Sequence, residues 1–183
     1  MGKKKKKSAE SHEKRQHICL IGMPTSGKTV IGRRLAARRG IDFVDLDDRI
    51  AQAAGEATLQ PVVDKLSAAE FAALEERVAI ETIEGLTRPT VIATGGSVVY
   101  SERAMRALKK GAVIIHLKAS FKVIERRIAE KPNRGIVYAP GETLRMLYDR
   151  RMPLYDRWAD ITVRTDNNRA RVARQLAERR LAA

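Results

Sequence analysis

Gly22-Met23-Pro24-Thr25-Ser26-Gly27-Lys28-Thr29 stands between an apolar run, His17 to Ile21, and a helical run, Val30 to Arg39. The stretch has the form GxxxxGK[ST], and a strand before it with a helix after it is the context in which that form binds phosphate. Glycines at both ends let the backbone wrap an anion without Cβ clashes. The loop N–H groups and the helix N-terminus present positive dipole ends to the anion. The pattern assigns Gly22, Thr25, Ser26, Gly27, Lys28, Thr29 and Val30 to a nucleoside triphosphate, expected to be ATP. Lys28 is expected to reach the β and γ phosphates, and the Thr29 hydroxyl to ligate Mg²⁺. The alternative is a glycine-containing turn followed by a surface lysine, and the flanking elements argue against it.

Outward from this loop, apolar runs of strand length alternate with helical patterns. Strands are predicted over Ile18 to Ile21, Phe43 to Leu46, Thr90 to Thr94, Ala112 to Leu117 and Ile161 to Arg164. Helices are predicted over Val30 to Arg39, Arg49 to Ala54, Ala68 to Ile83, Glu102 to Lys109, Phe121 to Glu130, Thr143 to Tyr148 and Asn168 to Leu181. Such alternation implies an α/β fold, a parallel sheet covered by helices with ligands at the carboxyl ends of the strands.

Two further motifs fall at those ends. Phe43-Val44-Asp45-Leu46-Asp47-Asp48 closes the second strand. Residues two apart on a strand share a face, so Asp45 and Asp47 are both expected to look into the crevice beside the phosphate loop. One carboxylate near Mg²⁺ and another near an acceptor hydroxyl is an arrangement that phosphoryl transfer uses. Helix capping is the competing explanation for this cluster, and Asp48 is read as the cap. Ala93-Thr94-Gly95-Gly96-Ser97 closes the third strand. Its glycines let a small substrate approach the backbone N–H groups.

Two arginine-bearing segments complete the set. Lys131-Pro132-Asn133-Arg134-Gly135 interrupts a helical pattern and reads as a polar loop suited to closing over nucleotide, with Arg134 adding charge when shut. In Arg150-Arg151-Met152-Pro153-Leu154-Tyr155, an arginine close to proline is placed to grip a carboxylate or phosphate bidentately.

The chain has 183 residues, 44% of them hydrophobic, and a formal charge of +14. That length suits one domain with a real core, here residues 17–183, preceded by a disordered basic tail, residues 1–16. No apolar stretch is long enough to span a bilayer, and the lysine run Lys3 to Lys7 lacks the apolar segment of an export signal, so the cytoplasm is the expected compartment. Cys19, the single cysteine, lies in the first strand and reads as a small core residue. The basic charge falls in the tail and on helical faces such as Arg33, Arg34, Arg171 and Arg174. The aromatic residues are scattered and form no stacking platform. A sequence-specific nucleic-acid partner is therefore not expected; an anionic small molecule and ATP are, and nothing calls for more than a monomer.

Together these motifs resemble the shikimate kinase family, over nearly everything from Ile18 to Asp166. The shared features are the phosphate loop, the FxDxD strand end, the glycine turn, the short lid, and an RxPLY segment followed by Ala159-Asp160. The resemblance implies a nucleoside-monophosphate-kinase-like P-loop fold, three α/β/α layers on a five-stranded parallel sheet, with a short lid over about residues 127–143. It implies transfer of the ATP γ-phosphate to a hydroxyl of a small acid, with shikimate as the first candidate. Lys28, Thr29 and Asp45 would manage phosphates and Mg²⁺. Asp47 would position the acceptor hydroxyl, Gly95, Gly96 and Arg151 would hold the acceptor, Arg134 would act from the lid, and Arg127 would stack on adenine. A same-fold kinase for another metabolite, or a nucleotide-binding regulator without transfer chemistry, are the alternatives.

Three positions depart from the family pattern. Ala72 stands where the family's GExxFRxxE helix carries an arginine that grips the acceptor carboxylate. Ser97 replaces the third glycine of the turn, and Thr25 replaces the middle glycine of the phosphate loop. A charge-assisted hydrogen bond contributes about 1.5–3 kcal/mol, so losing that arginine implies roughly ten- to a hundred-fold weaker acceptor binding unless another cation, such as Arg77 or Lys65, substitutes.

Overall fold

Strand β1, His17–Ile21, is buried along its whole length. A parallel strand covered on both faces must be apolar on both, and Ile18-Cys19-Leu20-Ile21 is. The structure, a computed structural model, describes residues 16–130, 136, 138–166 and 168–179. The other strands are β2 (Asp42–Asp45), β3 (Thr90–Ala93), β4 (Ala112–Lys118) and β5 (Ile161–Arg164), and the sheet order is β2-β3-β1-β4-β5 with every pairing parallel. The helices are α1 (Lys28–Arg39), α2 (Leu46–Ala53), α3 (Leu59–Lys65), α4 (Ala68–Gly85), α5 (Glu102–Gly111), α6 (Phe121–Ala129), α7 (Leu144–Trp158) and α8 (Arg169–Glu178), with a 3₁₀ turn at Val98–Tyr100.

Alternation along the strands sorts these helices into two layers. Ile18 and Leu20 of β1, with Val91, Val113, Ile115 and Leu117, pack on Ile31 and Leu35 of α1 and on Val172 and Leu176 of α8. Cys19 and Ile21 face the other way, where Ile92 and Ile114 join them against α4, α5, α6 and α7 through Ala79, Met105, Ile124 and Tyr155. A smaller cluster of Ile50, Val62, Phe71 and Val78 ties α2 and α3 to α4. The expected three layers and five parallel strands are thus present. Cys19 is the core residue its position implied, with a thiol pKa pushed up by burial.

Several boundaries differ from expectation, each for a local reason. β2 ends at Asp45 because Asp45 turns the chain: its Oδ1 accepts from the Asp47 backbone N–H at 3.1 Å and caps α2. The cap is therefore Asp45 and not Asp48, whose exposed carboxylate lies 3.8 Å from Arg33. It follows that Asp47 does not share a strand face with Asp45 but sits in the first turn of α2. No helix is predicted over residues 59–65, yet α3 forms there. Its Pro61 falls in the first turn, where no intrahelical N–H bond is due.

The helix expected to stop at Tyr148 instead runs through Pro153 to Trp158. Proline removes one helical bond, but Leu147, Arg151, Tyr155 and Trp158 form a buried stripe that holds the helix on the sheet. Arg127, placed at the start of the lid, is a residue of α6. Arg134 and residues 131–135 lie outside the described residues, as do residues 1–15 of the basic tail.

Candidate active site

The loop after β1 closes on itself. Gly27 caps α1 with φ of 110°, a conformation glycine adopts without strain. Lys28 Nζ donates to the carbonyls of Gly22 at 2.7 Å and Met23 at 2.9 Å, so its ammonium is held over the loop with 9% of its surface exposed. Thr25 is the one described non-glycine residue in the left-handed region, at φ of 63°. A β-branched residue there is strained, which the free position in the general loop pattern gives no hint of.

Next to the loop, Thr29 Oγ1 donates to Asp45 Oδ2 at 2.8 Å. Burial raises the Asp45 pKa, opposed by its hydrogen bonds from Thr29 and the Asp47 backbone. A cation arriving here would relieve that burial. No cluster of three His, Cys, Asp or Glu side chains suited to a metal occurs among the described residues. A Mg²⁺ site in a phosphoryl-transfer cleft needs none, because Mg²⁺ keeps several waters and takes one or two carboxylates together with substrate phosphates. Thr29 and Asp45 fit that requirement.

The turn after β3 brings the second half of the site together. A Cβ on Gly95 would stand 2.5 Å from Glu75 Oε1 and 3.1 Å from Asp47 Oδ1, so both carboxylates press on this glycine and only a bare Cα leaves them room. Arg151, 2% exposed, comes in from α7. Its Nε donates to Tyr100 Oη at 3.2 Å and its guanidinium lies 5.3 Å over the Tyr100 ring, while Nη1 would be 2.8 Å from a Cβ on Gly96. One helical turn later, Tyr155 Oη donates to the Gly96 carbonyl at 2.6 Å. The i, i+4 spacing inside RxPLY therefore puts a cation and a turn-fixing hydroxyl on the same two glycines.

Glu75 is a site residue that the sequence reading does not single out. It is 4% exposed on α4, accepts from Ser97 Oγ at 3.0 Å, and has its pKa pushed up to about 7, chiefly by burial and further by the Asp47 charge. The available signal was periodicity: Phe71, Glu75 and Val78 fall on one helical face, and a carboxylate within an apolar stripe is out of place unless used. Ser97 thus has a partner of its own, a role that the third glycine of the family pattern could not fill. Ala72 is exposed on the flank of α4 between Phe71 and Glu75.

Arg127 is tied across the base of the site. Nη2 donates to Thr165 O at 2.9 Å and Asp166 O at 3.4 Å, and Nη1 to Thr25 O at 3.3 Å. Its planar group is held between the phosphate loop and the turn after β5, where Arg169 also lies. Lys28, Thr29, Val30, Asp47, Glu75, Gly95, Gly96, Arg127 and Arg151 line one cavity of about 240 Å³. The hydroxyls of Thr25 and Ser26 are buried in the loop without a hydrogen-bond partner among the described residues. Buried donors lacking acceptors, beside an ammonium and loop amides, suit a polyphosphate.

The shikimate kinase family pattern matches residues 24–180 of the chain. A shikimate kinase of Thermodesulfovibrio yellowstonii is 38% identical over 153 residues, 82% of this chain and 86% of that protein. One from Ruegeria pomeroyi is 34% identical over 168 residues, 91% of this chain and 83% of that protein. Among solved structures, the shikimate kinase of Acinetobacter baumannii in complex with shikimate matches with a TM-score of 0.79 at 29% identity, over 92% of this chain and 94% of that one.

Proposed function

Because this chain belongs to the shikimate kinase family, we propose that it transfers the γ-phosphate of ATP to a hydroxyl of shikimate, giving shikimate 3-phosphate. The observation that supports this most directly is the single cavity in which the phosphate loop, Asp47 and Arg151 meet. One wall carries the loop amides, Lys28 and the Thr29–Asp45 pair. The other carries Asp47, the Gly95-Gly96 turn and Arg151.

In this reading Lys28 leaves its loop carbonyls for the β and γ phosphates, and Thr29 with Asp45 holds Mg²⁺. Bound there, the ion neutralises charge on the transferring group. Asp47 accepts a hydrogen bond from the acceptor hydroxyl and aligns it with the γ-phosphorus. The hydroxyl oxygen bonds to phosphorus as the bond to the β–γ bridging oxygen breaks, and the hydroxyl proton passes to Asp47 or to water. Arg151 takes the acceptor carboxylate, and the Gly96 amide region stays in register because Tyr155 fixes it. Arg127 packs against the adenine, and Arg134, outside the described residues, acts from the lid. Most of the acceleration comes from positioning and charge neutralisation.

Every residue lining the cavity comes from one chain, so we take the working unit to be a monomer acting in the cytoplasm without a specific nucleic-acid partner. No described helix is long and apolar enough to cross a membrane. The test is incubation with ATP, Mg²⁺ and a panel of hydroxylated acids, with the phosphorylated product identified by mass spectrometry. Shikimate 3-phosphate is expected, and efficient phosphorylation of a different acceptor with shikimate ignored would overturn the assignment.

A further inference from the structure

We propose that Arg169 is a ligand for the phosphates of the bound nucleotide, an inference that rests on the nucleotide-binding reading above. Arg169 opens α8, directly after the cap Asn168, whose Oδ1 accepts from the Ala170 and Arg171 backbone N–H groups at 2.9 and 3.2 Å. That cap fixes the first helical turn and directs the Arg169 side chain back over the phosphate loop. A Cβ on Gly27 would stand 3.2 Å from Arg169 Nε and 3.3 Å from its Cδ, so the guanidinium stem lies against the loop residue that precedes Lys28.

What holds Arg169 there is slight. Its Nη2 reaches Thr25 O at 3.4 Å, and its Nε is buried with no hydrogen-bond partner among the described residues. Arg127, by contrast, is tied to three carbonyls. Neither arginine forms an ion pair with a carboxylate among the described residues. The Arg127 pKa is lowered by burial and, next in size, by the Arg169 charge. Two like charges at the rim of a partly buried cavity repel each other, and an anion between them turns that repulsion into two attractions. A guanidinium also offers a planar fork that matches phosphate oxygens. Both arginines line the same cavity as Lys28 and Thr29. The position over Gly27 selects the phosphates and not the base, because the amide-lined loop is where phosphates must lie.

A purely structural alternative makes Arg169 a staple on Thr25. Direct binding measurements without acceptor separate the two. Calorimetric titration of the full chain with ADP and Mg²⁺, and competition with adenosine, should show Arg169→Ala binding ADP about ten- to a hundred-fold more weakly with adenosine affinity unchanged. Unchanged ADP affinity, or equal losses for ADP and adenosine, would overturn the assignment. If the alanine variant does not fold, Arg169→Lys and Arg169→Gln carry the test: the lysine form should bind ADP at least about five-fold better than the glutamine form, and equal affinities would refute a charge contact. Wild-type protein that binds neither ATP nor ADP would count against the nucleotide-binding reading itself, which this inference presupposes.

Discussion

Glu75→Gln isolates the cost of a carboxylate in the core of the site. Glu75 is buried on α4, bonded by Ser97, and its pKa is raised from 4.5 to about 7. Burial is the main cause, the Asp47 charge adds to it, and the Ser97 hydrogen bond, Arg151 and Lys28 oppose it. A displacement of that size, at ~1.4 kcal/mol per unit, is worth about 3 kcal/mol. The sign follows from proton uptake: between 4.5 and 7 the folded chain holds a proton on Glu75 that the unfolded chain has released. Folding stability therefore falls as pH rises through that window, and the loss is complete above it. Glutamine mimics the protonated acid, can still accept from Ser97, and has no charge to bury. Urea denaturation at intervals from about pH 4.5 to 8 should give a stability difference near zero at the acid end, growing to about 3 kcal/mol in favour of Glu75→Gln at the alkaline end. Parallel stability curves for the two proteins would refute the burial argument.

Other perturbations address the rest of the site. Lys28→Ala should reduce transfer by about a hundred-fold or more while leaving a cooperative unfolding transition, since its partners are loop carbonyls and not the core. Steady-state kinetics with a thermal melt checks both halves of that statement. Asp47→Asn should lower kcat by about a hundred-fold with little change in ATP affinity, and an unchanged kcat at saturating shikimate would leave Asp47 a helix-turn residue only. Tyr155→Phe removes the 2.6 Å hydrogen bond to Gly96 O and should cost about 1 kcal/mol of stability together with a raised KM for shikimate, measured by denaturation and initial rates. Ala72→Arg should lower the KM for shikimate by about ten-fold or more and leave that for ATP alone; no change would show that side chains at this position point away from the cavity.

The nucleotide half of the site was legible because its signals are local. A glycine-bounded loop between a strand and a helix dictates its own geometry, and Gly22 to Thr29 adopt it. The acceptor half is assembled from α2, α4, α7 and the turn after β3, and its rules are tertiary. Asp47 was identified as a site residue through the wrong geometry: a period of two placed it on a strand face, whereas Asp45 ends the strand by capping α2 and the helical turn delivers Asp47 to Gly95. Pro153 suggested a helix end after Tyr148, but a buried stripe of four side chains outweighs one missing N–H. Glu75 was hidden in an otherwise regular amphipathic helix. Arg169 was one basic residue among many, and only the fold that lays α8 against α1 distinguishes it from the solvated arginines of the same helix.

The departures from the family pattern look different once Glu75 is placed. Taking an arginine away at position 72 removes a positive charge from the acceptor side, which leaves Arg151 facing Asp47 and Glu75 in the same cavity. Were both carboxylates ionised, an acceptor carboxylate would enter a pocket of net negative charge. Burial prevents this below about pH 7 by keeping Glu75 protonated. A neutral Glu75 removes one negative charge from the place that has lost a positive one, so the two changes offset each other electrostatically while the lost bidentate contact does not return. Ser97 serves the same balance, because its hydroxyl holds the Glu75 carboxyl group against Gly95, clear of Arg151. The pocket therefore remains suited to an anionic acceptor through the control of its own acid. Its affinity for a carboxylate should weaken as pH rises through 7 in the wild type and stay level in Glu75→Gln.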